Sequence, residues 1–157
     1  MFQIEPLPAS EFTHLNSLSD AELAQEGIQV HISDGAFPCR VSLADVAKGT
    51  RVYLMNFEHQ PGASPYRSRH AIFVAEGAEE YHPDPDTVPD AVAKRLLSVR
   101  AFNRADEIVD AEVVEGRELA GVIASFFENP HVNYIHLHFA RRGCYAAKVT
   151  RTAKADQ

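Results

Sequence analysis

The 157 residues include 22 acidic and 15 basic side chains, a formal net charge of −7, with 45% hydrophobic content and two cysteines. This balance argues against nucleic acid or an anionic membrane as partner, because both recruit basic surfaces, and two cysteines do not make a disulfide framework. The length suits one domain, 1–157, that buries roughly 70% of the surface its unfolded chain exposes.

No apolar run approaches the ~20 residues of a membrane span, and the opening MFQIEPLP lacks a basic, apolar leader. A soluble, cytoplasmic protein is the expectation. Phe2 to Glu5 reads as a short strand stopped by Pro6 and Pro8. Ser10 opens a helical turn. Ser19 then stands three residues before Glu22, the spacing of a capping box, and Gly27 supplies the stop of that helix. Ile28 to Ser33 alternates as a half-buried strand, with Ile28, Val30 and Ile32 inward and His31 outward.

Ser42 to Lys48 predicts a brief helix closed by Gly49. Arg51 to Glu58 is the strongest strand, rich in aliphatic and aromatic side chains. His59 to Pro65 reads as a loop, since two prolines and a glycine exclude regular structure. His70 to Val74 is a further strand. Gly77 to Pro89 is an acidic, proline-rich surface segment, and Pro89 begins a helix to about Leu97.

Ser98 to Asn103 and Ile108 to Val114 predict a hairpin. Arg117 to Glu128 predicts a helix whose Leu119, Val122, Ile123, Phe126 and Phe127 share one face. Tyr134 to Val149 reads as strand, basic turn and strand, and Thr152 to Gln157 as a frayed tail. The sum is an α+β fold with a mainly antiparallel sheet of about seven strands and three or four helices packed on it.

Four constellations concentrate the chemistry. In the first, His136 and His138 stand two apart on one strand, so their imidazoles share a face about 7 Å apart. Such a pair can ligate a metal. The positions that would supply a carboxylate hold Arg141 and Arg142 instead, and those cations repel another, so no metal set is assigned. A stacked or solvated structural role is the alternative for both histidines.

In the second, Cys39 precedes Arg40 and Cys144 follows Arg141, Arg142 and Gly143, which are cationic settings that favour a thiolate. Burial as small apolar side chains is the competing reading. In the third, Arg40, Arg67, Arg69, Arg100, Arg141 and Arg142 stand out in an acidic chain as an anion pocket, with Arg100 inside a strand. Ion pairing of Arg100 with Glu58, Asp110 or Glu112 is the alternative. In the fourth, Asn56, Glu58 and His59 gather at the end of a strand, with Glu58 and His59 as an acid–base pair or the group as a loop anchor.

Phe37-Pro38-Cys39-Arg40, Asn56-Phe57-Glu58-His59-Gln60-Pro61, Ser64-Pro65-Tyr66-Arg67, Leu97-Ser98-Val99-Arg100-Ala101-Phe102 and Arg142-Gly143-Cys144-Tyr145 together resemble a bacterial family, domain of unknown function 1203. The resemblance covers nearly the whole chain. It implies a bacterial, soluble, stand-alone domain and carries no catalytic residues or cofactor with it.

The expected function is therefore a small-molecule site for an anionic ligand on one sheet face. Cys39, His136, His138 and Cys144 are its candidate catalytic groups, and Arg40, Asn56, His59, Arg67, Arg100, Arg141 and Arg142 its candidate ligand-binding groups. A non-catalytic binding or protein-interaction domain is the alternative.

Overall fold

A computed structural model describes residues 1–153. The strands are β1 (Phe2–Glu5), β2 (Gln29–Ile32), β3 (Arg51–Gln60), β4 (Ser68–Ala75), β5 (Leu96–Phe102), β6 (Ile108–Glu115), β7 (Tyr134–Phe139) and β8 (Tyr145–Arg151). They form two sheets, one of five strands in the order β1-β8-β7-β5-β6 and one of three in the order β2-β3-β4. Every strand pairing is antiparallel. The α-helices are α1 (Asp20–Gln25), α2 (Asp90–Ala93) and α3 (Leu119–Glu128), with short 3-10 turns beside them. The α+β class and the antiparallel preference hold, but eight strands in two sheets replace the one sheet of about seven, and the helices are mostly short.

Local chemistry explains several elements. The Ser19 hydroxyl accepts from the Glu22 amide while the Glu22 carboxylate accepts from the Ser19 amide, which completes the capping box of α1. Leu119, Ile123 and Phe126 of α3 are buried against Leu97, Val99, Ile135 and Leu137 of the larger sheet. Each such side chain contributes about 1.5–3 kcal/mol through the apolar area it removes from water. A second hydrophobic cluster, including Leu15, Leu23, Val41, Val52 and Ile72, lies with the smaller sheet.

Four local expectations are corrected. Ser42 to Lys48 is not a helix: Leu43 takes a left-handed φ of 51°, and Asp45 bridges back to Pro38. The helix after Pro89 stops at Ala93, because Leu96 and Leu97 are already in strand β5 opposite Glu115 and Val114. His59 and Gln60 belong to β3, not to the loop, with the register shifting between Phe57 and Gln60. Ile32 faces out, 60% exposed, while His31 packs edge-on against Phe37 and Phe73. The end of the expected tail, residues 154–157, lies outside the described residues, and within them the Thr152 amide donates to the Met1 carbonyl at 3.1 Å.

Gly116 packs directly against the backbone of α2. A Cβ there would meet the Val92 and Ala93 carbonyl oxygens, the latter at 2.6 Å, and neither can yield without moving backbone. Gly116→Ala should lower stability by about 1–3 kcal/mol, the usual cost of overpacking. A urea midpoint equal to that of the parent protein would contradict the contact.

Candidate functional site

The sequence candidates divide into two neighbouring groups and a remainder. The first group lies on the face of the larger sheet away from α3. Arg100 pairs with His136 and Ser98 with His138 across β5 and β7, so all four side chains share that face. The far end of β3 covers it, bringing His59 to ring-centroid distances of 5.0 Å from His138 and 6.3 Å from His136. Tyr145 completes the packing, stacked on His59 at 5.4 Å and edge-on to His136 at 5.1 Å. As a result β7 is buried on both faces. Its polar side is a second interior surface, not a solvated one.

Burial dictates the protonation of this group. His138 and His136 are held to about 3, chiefly because burial disfavours the imidazolium; Arg100 adds to the effect on His138, and the neighbouring histidines to that on His136. His59 is lowered to about 4 by burial and then by Arg100. All three are neutral near pH 7. The Nδ1 of His138 lies 2.9 Å from the Gly143 carbonyl and must carry the proton. Its Nε2 lone pair then faces a guanidinium nitrogen of Arg100 at 3.5 Å. Arg100 also donates to the Ser98 hydroxyl at 3.1 Å, and among the described residues no carboxylate pairs with it. Among the described residues no cluster of three or more His, Cys, Asp or Glu side chains is arranged to hold a metal ion.

The second group surrounds a cavity of about 550 Å³ where segment 34–40 and β4 meet the β7–β8 turn and the α2–β5 junction. Its apolar walls include Phe37 and Phe73, stacked parallel at 4.6 Å, and Phe139. Its charged walls are Arg40, Lys94, Arg95, Arg141 and Arg142, with Asp34 and Glu115 as the lining carboxylates. Five cations against two anions make a basic hollow in an acidic protein. Asp45 forms ion pairs with both Lys94 and Arg95 and fixes them at the wall. Cys144 also lines the cavity.

Arg40 is the centre of this group. Only 1% exposed, it donates from Nε to the Tyr145 carbonyl at 2.7 Å and from Nη1 to the Pro38 carbonyl at 2.5 Å. Its guanidinium sits 4.9 Å from the Phe139 ring centre, and Arg95 approaches the same ring at 5.3 Å. No carboxylate neutralises Arg40 among the described residues. Burial lowers its pKa, and Cys144 and then Cys39 oppose that shift.

The turn itself is built by Gly143 at φ +78°, a left-handed conformation that lets its amide reach the Phe139 carbonyl at 2.8 Å. That turn directs Cys144 into the cavity and its preceding carbonyl toward His138. Tyr145 joins the two groups: its ring packs on the histidines and its carbonyl accepts from Arg40.

The remaining candidates lie elsewhere. Cys39 is buried, with its sulfur 3.4 Å from the Ala75 amide, and it does not line the cavity. Asn56, on β3, and Arg67, in the β3–β4 connection, are both exposed; Asn56 accepts from Arg69, and Arg67 pairs with Glu58 at 3.3 Å. Lys94, Arg95, Phe73 and Phe139 were not among the sequence candidates. The basic doublet after a short helix was the signal for the first two, and nothing local places it opposite Arg142.

These features define a two-sheet α+β protein with a basic, aromatic-walled cavity beside a buried imidazole cluster. The family described as "Protein of unknown function (DUF1203)" matches residues 36–151, and the chain belongs to that family. No curated protein and no solved structure matches it.

Proposed function

We propose that the cavity at Arg40 binds an anionic small molecule with an apolar body. The single observation that carries this reading is a guanidinium buried to 1% exposure, without a carboxylate partner among the described residues, in the wall of a basic, aromatic-walled hollow. A cation taken out of water without a counter-charge costs several kcal/mol, and an anionic ligand supplies the missing charge. The stacked Phe37 and Phe73 offer a flat apolar surface for the body of the ligand. Arg141 and Arg142 are exposed at the rim, where they steer an anion inward.

Naphthalene-1-sulfonate and naphthalene-1-methanol, titrated by calorimetry at low salt, test this reading. The sulfonate should bind at least tenfold tighter than the alcohol, and Arg141→Ser/Arg142→Ser should weaken it by about three- to tenfold, since each tenfold step is about 1.4 kcal/mol. Equal affinity for the two probes would defeat the proposal.

A further inference from the structure

Cys144 lies in the wall of the same basic cavity, and what surrounds it limits the chemistry a thiol can do there. No histidine lines the cavity among the described residues; the imidazoles of His59, His136 and His138 belong to the packed cluster behind Tyr145. The lining carboxylates, Asp34 and Glu115, are both exposed. Acyl transfer by a thiol needs a proton donor for its leaving group and a base in hydrogen-bond reach. Displacement at a disulfide sulfur needs neither, because the leaving group departs as a thiolate and cations alone stabilise it.

Resting on the anion-binding reading, we infer that Cys144 is a site of reversible thiolation by low-molecular-weight disulfides that carry carboxylates. The structural support is the placement of one accessible thiol among Arg40, Arg95, Arg141 and Arg142. Arg40 is the second element: only 1% exposed, it lines the cavity, its Nε and Nη1 donate to backbone carbonyls, and among the described residues its Nη2 donates to no oxygen.

The step balances without another reactant. Cys144 loses its thiol proton to water, and the thiolate attacks one sulfur of the disulfide. A new bond forms from Sγ as the original S–S bond breaks, and the other half leaves as a thiolate. The protein sulfur is oxidised and the departing half reduced. Cys39, the only other cysteine, is buried and outside the cavity wall, so no cysteine lining the site resolves the adduct. The modification therefore persists until an external thiol removes it, and while present it fills the cavity. Thiolation thus shuts the anion site.

The test uses the full chain with oxidised glutathione, which is anionic, and cystamine, which is cationic. Adducts are followed by intact mass and located by peptide mapping. A peptide spanning residues 139–149 carries the same local arginines and serves as reference. Relative to that peptide, Cys144 in the folded protein should prefer oxidised glutathione over cystamine by about tenfold or more, and high salt should shrink the preference. Arg141→Ser/Arg142→Ser should reduce it further, and dithiothreitol should reverse the adduct.

A preference no greater than that of the peptide, or modification at Cys39 instead, overturns the inference. Cys144→Ser separates the two readings. If that variant binds naphthalene-1-sulfonate tenfold better than the alcohol while the parent shows no disulfide preference, the anion site stands and thiolation falls. If the sulfonate preference is also missing, both fall.

Discussion

Arg40→Ala is expected to lower the unfolding free energy by about 3–5 kcal/mol, among the largest effects of any single substitution in this protein. Two causes add. The Tyr145 and Pro38 carbonyls lose their donors, and a void opens beside Phe139. Arg40→Met separates them, because it restores most of the volume and none of the hydrogen bonds. Its stability should fall between those of the parent and the alanine variant.

Arg40→Lys should also be costly, since one ammonium cannot reproduce a planar fork that reaches two carbonyls at once. Denaturant unfolding with unchanged slope would report all three. An alanine variant within about 0.5 kcal/mol of the parent, the range of ordinary surface changes, would mean that Arg40 is not the buried anchor described.

The second large effect is acid lability. His136 and His138 sit near 3 in the fold, against an ordinary value of 6.5. Between those limits the unfolded chain binds protons that the folded one does not, so lowering the pH favours unfolding. The contribution is complete above about 6.5 and is lost progressively as pH falls toward 3, at about 1.4 kcal/mol per pH unit for each histidine. His59 adds a smaller share because water still screens it.

His136→Asn/His138→Asn removes both titrations, and the asparagine at 138 retains an N–H for the Gly143 carbonyl. Urea midpoints measured from pH 7.5 to 4.5 should fall less steeply for this variant than for the parent. Parallel profiles would show that these imidazoles do not govern the acid limb.

Much of the local structure was legible because its determinants are close in sequence. The capping box depends on Ser19 and Glu22 alone, the shared face of His136 and His138 on strand alternation, and α3 on helical spacing. Arg100 and the two histidines fell on one face because a single antiparallel register places them there.

The cavity was less legible, since its walls come from five separate stretches. Phe37 and Phe73 stack only because the chain at Cys39 bridges to β4. Arg95 reaches Phe139 only because α2 stops early, and that depends on the strand pairing of Leu96. Pro61, Gly62 and Pro65 predict a loop at His59. The irregularity between Phe57 and Gln60 carries it instead onto the histidine face. An expected single hollow became one cavity and one packed imidazole cluster because Tyr145 stands between them, a separation that no spacing in the chain encodes.

The pairing of β1 with β8 sets Ile4 opposite Val149 and Phe2 opposite Arg151. During synthesis the first strand therefore waits, with its buried side chains uncovered, until the last one leaves the ribosome. The hairpin of β3 and β4 meets no such delay. Assembly should be slow for the size of the protein, as in other folds dominated by distant contacts. The interval before closure is when this chain most needs protection from self-association.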